Sequence, residues 1–596
     1  METERKIAPA GAENRKRDHQ GERGNQGGRG NKRQKTQKQK PVKEGSTEEV
    51  LLADVTDLFS RQRLEDTKQG EAVIAEGASE SKSLPAPFTE LDVKVLEISS
   101  TGDGLAVAPG SDQIYVVPFT APGDIARVKV IKHFEKHNYS LADFLSVVEP
   151  SPLRDDSRIG CQYFSKCSGC QFQMLDYPTQ LDHKKSIVEK AYKNFSHIPS
   201  ELVPAVINTM GSPLQYNYRT KLTPHFDGPP GYRNRADARA GIKKAFEKTP
   251  EIGFMQKNRR ITLDIEDCPI GTDAVRKGMK SERARVAQEL DRYKRGATIL
   301  LRESTQRVPN SELPSPIPED TIAIQVEGTE TTDLKTCITD NNATSTEYID
   351  DFTFTNPAGA FFQNNNSILP PFTQYIRENI IPPVSSNELP VKYLIDAYSG
   401  SGLFTITLSS LFESSTGIDI SSASIDFASK NASLNNIPKS KASFLAADAP
   451  ELFKSVKYPA DETVVVIDPP RKGCDDSFLR QLLSFGPRRV VYVSCNVHTQ
   501  ARDIGVMVHG YVNGKDGHGG LGRRYKIESI RGFDFFPQTG HVEGVAVLSR
   551  IDEALPRSLS ADVMEGVEEK LGEDVADAEG IIATGAIEGV KPTTDA

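Results

Sequence analysis

Residues 392–402 read KYLIDAYSGSG, an apolar run that stops abruptly at a glycine-rich turn. The segment after it, LFTITLSSLF (403–412), is helix-like, and the two-part pattern then recurs as TGIDIS, SASIDFASKNASL, SFLAADA, TVVVIDPPR and RRVVYVSCN. Short apolar runs alternating with helical segments indicate a parallel sheet covered on both faces. The closing YKIESIRGFDFF and HVEGVAVLSRI read as two further strands. The expected fold class is α/β, with a Rossmann-like, doubly wound domain over residues 386–550 that binds ligands at the carboxyl ends of its strands.

Upstream the pattern differs. Residues 1–85 are rich in Gln, Gly, Lys, Arg and Ser and poor in aromatics, so a disordered basic tail is expected. Residues 1–43 carry thirteen Lys/Arg against five Asp/Glu, a net of +8. Residues 551–596 carry three against twelve, a net of -9, and read as a disordered acidic tail. The whole chain is -9, which leaves -8 for the body, so any nucleic-acid site there must be a local patch. The clusters Arg15-Lys16-Arg17 and Lys32-Arg33 fit nuclear import, phosphate contact or plain solvation equally.

LDVKV (91–95) and ARVKV (126–130) alternate apolar and charged residues between the turn signals STGDG, APGSD and TAPGD. Short strands so spaced predict a small β-barrel over residues 86–150, its Lys and Arg facing RNA or merely water. Residues 151–385, with polar inserts at 225–250 and 303–345, read as a central α+β domain. No run of eighteen apolar residues occurs, and METERKIAPAGAENRKR lacks the apolar core of a secretory signal, so neither a membrane span nor export is expected. Seven cysteines, an odd number, then point to a reducing compartment.

The chemistry gathers at strand ends. Gly400 and Gly402 let the backbone approach a ligand, although a dinucleotide fold would want a third glycine where Thr405 stands. Asp419 ends the second strand, placed for ribose hydroxyls, and Asp448 ends the third. The grouping suits S-adenosylmethionine (SAM) or a nicotinamide; acids that merely cap strands are the alternative. In VIDPPRKG two prolines fix the turn that carries Asp468, and the next strand delivers Cys495 beside it. A thiolate there can add to C6 of a pyrimidine and make C5 nucleophilic. C5 can then take a methyl group, and a base must remove the C5 proton. Glu543, preceded by His541, is the candidate base, with an ordinary strand carboxylate as the alternative reading.

DAYSGSGLFT, DPPRKG, SCN and FFPQTGHVEGV, together with AFFQNN (360–365), resemble the motifs of the RNA 5-methyluridine methyltransferase family over residues 91–550. The resemblance implies a class I SAM-dependent methyltransferase domain and, at the N-terminus, a TRAM (OB-like) RNA-binding barrel. It implies Cys495 as nucleophile and Glu543 as proton acceptor. Gln363, Tyr398, Asp419 and Asp468 would bind SAM. Phe361 would stack on a flipped uracil, and Arg219 and Lys221, in YNYRTKLT, would contact RNA phosphate. One departure is visible: the family's usual proline after Ser-Cys-Asn is Val497 here.

Cys161, Cys167 and Cys170 are spaced C-x5-C-x2-C, with Cys268 far downstream. Some bacterial ribosomal-RNA members of the family carry a [4Fe-4S] cluster on this spacing; zinc and unmetallated thiols are the other readings. Cys337 and Cys474 receive no role. The substrate implied is tRNA at the T-loop uridine 54, with ribosomal RNA next. A non-catalytic RNA-binding protein and an amino-methyltransferase using the Asp-Pro-Pro turn are the remaining hypotheses. RNA is the expected partner, and no obligate protein partner is evident. Nucleus, cytosol and mitochondrion all stay open.

Overall fold

The computed structural model describes residues 42–70, 84–109, 111–231, 245–383, 389–447, 452–512, 520–521 and 523–552. The clusters Arg15-Lys16-Arg17 and Lys32-Arg33, Asp448 and the acidic tail beyond Asp552 lie outside the described residues.

The reading of residues 1–85 as wholly disordered needs correction over α1 (Thr47–Gly70). Composition averaged over the whole segment hid the amphipathic EEVLLADVTDLF (48–59). Val55 and Leu58 pack there against Leu105, Ile114 and Val116. Those partners belong to a closed barrel of β1 (Glu90–Ile98), β2 (Gly104–Val107), β3 (Ile114–Val117), β4 (Ile125–Phe134) and β5 (Tyr139–Glu149), in the order β1-β2-β3-β5-β4. The alternation in LDVKV and ARVKV sends Val93, Val95, Val128 and Val130 into its core. The outward cations of β4 meet acids of β1, as Arg127–Asp92 at 2.7 Å and Lys129–Glu90 at 2.9 Å.

The central region contributes α2 (Tyr177–Phe195), β6 (Ile207–Met210), α3 (Asp273–Gln288) and α4 (Leu369–Ile380). Much of the polar stretch 303–345 is sheet: Leu301–Pro309 pairs antiparallel along its length with Thr331–Ile338.

The largest sheet holds β7 (Tyr393–Ala397), β8 (Ser414–Asp419), β9 (Ala442–Ala446), β10 (Thr463–Ile467), β11 (Arg489–Ser494), β12 (Arg524–Phe533) and β13 (Glu543–Ile551). With β6 it runs β9-β8-β7-β10-β11-β13-β12-β6. Strands β7 to β11 are parallel, and β13 returns antiparallel beside β11. The helices of this region that flank the site include α5 (Leu403–Thr407), α6 (Ser422–Leu434), α7 (Asp476–Phe485) and α8 (Val497–His509). One face of the sheet packs with Ile187, Val188 and Tyr192 of α2 and with α7 and α8. The other packs with Phe372 and Ile376 of α4 and Ile406 of α5.

A boundary at 385/386 therefore does not isolate this domain, because α2 and β6 complete it from earlier in the chain. Strand order reverses between β7 and β10, which opens a crevice at their carboxyl ends. Among the described residues no helix is long and apolar enough to cross a membrane.

Candidate active site

Three neighbouring strands deliver the predicted chemistry to one place. β10 ends just before Asp468, β11 ends just before Cys495, and β13 begins at Glu543. Ser494 pairs with Gly544, so the next residues in that antiparallel register are Cys495 and Glu543. Gln500 locks the register from α8, its amide donating to Tyr492 O (2.8 Å) and Gly544 O (3.0 Å).

Why the strand stops at Ser-Cys-Asn is now visible. Asn496 caps α8 by accepting from His498 N (3.2 Å) and donates to Arg471 O at 2.9 Å. Thr499 Oγ1 donates to the same carbonyl at 3.1 Å. The nucleophile turn and the Asp-Pro-Pro-Arg turn are thereby joined. Val497 occupies the first helical position of α8, where proline is favoured because the N–H has no intrahelical partner. Valine keeps the helix start and buries its side chain, so the departure from the family pattern leaves this turn intact.

The electrostatics are those of a largely buried site. Burial pushes the Cys495 thiol up to about 12, with Glu543 and Asp468 adding to the rise and a hydrogen bond and charge from Arg471 opposing it. Glu543 is 2% exposed. Burial holds its carboxyl well above the usual range, Asp468 raises it further, and Arg471 counters. Asp468 is raised by burial and by Asp396. His541 is lowered to about 4 by burial and nearby cations, so it is neutral at physiological pH. The Arg471 guanidinium thus opposes the rise at both Cys495 and Glu543, beside an Asp468 that is itself raised to about 7.

Toward β7 and β8, Asp419 accepts from Gly400 N (3.0 Å) and Ser421 N (2.8 Å). Gly400 has φ +54°, and no heavy atom lies within 4 Å of where a Cβ would stand, so this turn is an open cradle. Ile420 beside it is 73% exposed, an apolar platform next to the carboxylate. The missing third glycine is explained by Thr405, whose N and Oγ1 both donate to Asp396 (2.8 and 2.7 Å). Cradle, carboxylate and platform fit an adenosine-bearing cofactor. Tyr398 differs from expectation: its ring packs on Phe478 (centroids 5.3 Å apart) and its hydroxyl meets Cys474, so its side chain faces the core. Gln363 is buried, whereas Phe361 stands out at 76% exposure.

Arg219 and Lys221 have internal duties. Lys221 Nζ donates to Gly359 O and Ala360 O, both at 3.0 Å, clamping the loop that presents Phe361. Arg219 Nε donates to Lys221 O at 3.1 Å. Sequence reasoning missed the supports behind the site. Lys184 forms a fully buried ion pair with Asp534, and Gln180 and Gln171 hold the 538–540 turn that leads to Glu543. These contacts join residues 350 or more positions apart, and no local pattern announces them.

The four cysteines share a neighbourhood: the Cys170 thiol, raised chiefly by burial, also feels Cys268, Cys161 and Cys167. Burial lifts Cys268 to about 12. Among the described residues, however, no three His, Cys, Asp or Glu side chains are arranged to hold a metal ion.

A family profile described as tRNA (Uracil-5-)-methyltransferase matches residues 331–551. A Schizosaccharomyces pombe protein named tRNA (uracil(54)-C(5))-methyltransferase is 44% identical over 515 residues, 86% of this chain and 85% of the relative. A Saccharomyces cerevisiae protein of the same name is 39% identical over 552 residues, 86% of this chain and 83% of the relative. Among solved structures, the tRNA (uracil-54, C5)-methyltransferase of Pyrococcus abyssi with S-adenosyl-L-homocysteine aligns at TM-score 0.51. That likeness spans 77% of this chain and 100% of that one at 24% identity, a likeness of fold.

Proposed function

The chain belongs to the tRNA (uracil-5-)-methyltransferase family, and from that membership we propose that it methylates C5 of uridine 54 in tRNA, using SAM, through a covalent adduct of Cys495 with uracil C6. The observation that carries the reading is the convergence of Asp468, Arg471, Cys495 and Glu543 at three adjacent strand ends.

Gly400 and Asp419 would hold SAM, which would supply an electrophilic methyl group and keep the S–CH3 bonding pair as it leaves as the neutral thioether. Arg471 stabilises the ionised fraction of Cys495, whose sulfur bonds to C6 and pushes the C5=C6 electron pair toward C5. C5 takes the methyl group. Glu543 accepts the C5 proton, and the C–H electrons re-form C5=C6 as Cys495 leaves as thiolate. Asp468, between the cofactor cradle and the nucleophile, orients both reactants. Phe361, rigidly presented by Lys221, supplies an exposed ring on which an extracted base can stack. The barrel is assigned the TRAM role, binding RNA outside the cleft.

The cluster expected from the cysteine spacing has in its favour only that spacing and the shared neighbourhood of Cys161, Cys167, Cys170 and Cys268. Iron and acid-labile sulfide in anaerobically purified protein decide it, and neither element present ends the idea.

The direct test mixes the protein, SAM and a T-arm RNA carrying 5-fluorouridine at the target. Fluorine cannot leave as a proton does, so an adduct that survives a denaturing gel is expected, and none from Cys495→Ala. A band from a ribosomal RNA hairpin alone keeps the chemistry and replaces the substrate. No band from any RNA, with SAM still bound, overturns the reading.

A further inference from the structure

One side-chain amide ties three separate segments together beside the catalytic cleft. Gln171 Nε2 donates to Thr101 O at 2.8 Å, in the turn between β1 and β2 of the barrel. Its Oε1 accepts from Gly540 N at 3.0 Å, a short step before Glu543 in the chain. The backbone adds two more bonds: Gln171 N and Phe172 N both donate to Gln538 O, at 2.7 and 3.1 Å. There is no slack at this junction. A Cβ at Gly102, where φ is +85°, would collide with the Gln171 amide, and one at Gly540 would meet Gly102 Cα at 3.2 Å. Thr101, Gln171 and Gly540 line the same cleft as Cys495. Gln171 directly follows Cys170, so the loop that gathers the cysteines reaches the site through this residue.

Nucleophile and base hang from different supports. Cys495 is fixed from its own side by Asn496 and Thr499, both bonded to Arg471 O. Glu543 lies between Gly544, whose carbonyl is held by Gln500, and Gly540, whose N–H is held by Gln171. Gln538 and Gln180 exchange a reciprocal pair of hydrogen bonds, both 3.1 Å, which anchors the far end of the same turn to α2. Loosening Gln171 therefore frees the entry to β13 and leaves the Cys495 turn fastened. A displacement of about 1 Å at a reacting group can cost about a hundredfold in rate.

We propose that Gln171 is a positioning residue for the base half of the reaction: by bracing Gly540 against the barrel turn at 99–103, it sets where the Glu543 carboxylate meets the C5 proton. This rests on the uracil-C5 methylation reading. Gln171 acts through Glu543 and takes no part in bond making. Sulfur addition and methyl transfer precede the step it governs, in which the C5–H pair re-forms C5=C6 and Cys495 leaves as thiolate. The barrel turn thereby belongs to the catalytic geometry, because a barrel seated differently moves the base.

The test separates the two halves. Gln171→Met keeps the length of the side chain and loses both of its hydrogen bonds. Adduct formation with T-arm RNA carrying 5-fluorouridine needs only addition and methyl transfer, and should stay within about twofold of wild type. Turnover of ordinary uridine should fall at least about tenfold. With tRNA tritiated at C5, methyl incorporation should run ahead of tritium release, and covalent complex should appear on a denaturing gel. SAM affinity within about twofold of wild type marks the variant as folded. Gln171→Glu keeps the acceptor for Gly540 N and gives up only the bond to Thr101 O, so it should show the same selectivity at smaller size. Equal losses in both halves, or no loss in either, overturn the proposal and leave the reaction standing on the wild-type adduct. Wild-type protein that forms no adduct with any RNA sinks the reaction, and the proposal with it.

Discussion

The side-chain amide of Asn496 donates 2.9 Å to the carbonyl oxygen of Arg471, fastening the turn that carries the nucleophile to the turn that carries Asp468. Asn496 also caps α8. Asn496→Ala removes both bonds, a cost of about 1 kcal/mol for the cap alone, and frees Cys495 to wander from Arg471. Adduct formation with 5-fluorouridine RNA should slow at least about tenfold, since small misplacements are expensive in catalysis. SAM affinity should not change; a matching loss of SAM binding would show instead that the whole crevice had collapsed.

Glu543 and Cys495 act on opposite halves of the reaction, so their variants should fail differently. In Glu543→Gln the sulfur can still add to C6 and C5 can still be methylated, but the C5 proton has no acceptor. Covalent protein–RNA complex should then accumulate with ordinary uridine, visible on a denaturing gel, while Cys495→Ala gives none. Rapid turnover by Glu543→Gln would assign the base elsewhere.

The thiol of Cys495 is pushed up to about 12 by burial and by the two carboxyl groups. At any pH below that, its ionised fraction grows about tenfold per unit. Glu543, also raised, gains its accepting form in the same direction. Single-turnover adduct formation should therefore climb with pH from about 6 to 9, with no descending limb from His541, which is already neutral. Replacing Arg471 with Met removes the opposing cation and should lower the rate across that whole range.

Asp396 is fully buried and raised from an ordinary 3.8 to about 7, chiefly by desolvation. One of its oxygens accepts from Thr405, and the other has no partner. The folded state thus holds a proton that the unfolded chain releases at lower pH. Between about pH 4 and 7 the native form binds more protons than the unfolded one, so this group lowers stability as pH rises and adds nothing more above 7. The full effect is of the order of 4 kcal/mol. Asp396→Asn keeps an acceptor for Thr405 and should flatten that part of the denaturation-versus-pH profile. An unaltered profile would mean that Asp396 ionises normally.

The sequence made the sheet legible because each strand and its turn are local: VIDPPRKG and VVYVSCN announce both the apolar run and the residue it presents. The register that sets Glu543 across from Cys495 is not local, since it depends on β13 returning antiparallel beside β11. The resemblance made Lys221 a phosphate contact; in the structure its ammonium donates to two carbonyls of the Phe361 loop. Tyr398 sits in the glycine turn, as its motif implied, yet at φ +64° its ring turns into the core. α1 was hidden for a compositional reason, a short amphipathic stretch diluted in a long polar one. The cysteine spacing brought Cys161, Cys167, Cys170 and Cys268 into one neighbourhood, as expected from it.

The eight-stranded sheet ends on β6, a strand drawn from residues 207–210, and α2 covers α8 on one face. Anyone trimming this protein to a minimal catalytic fragment at residue 386 would remove both. The cut would bare the hydrogen-bonding edge of β12 and strip the greasy side of α8, making surfaces that recruit neighbouring molecules. Such a fragment should emerge as inclusion bodies, and shuffling this catalytic module between RNA-binding partners requires carrying residues 177–210 along with it.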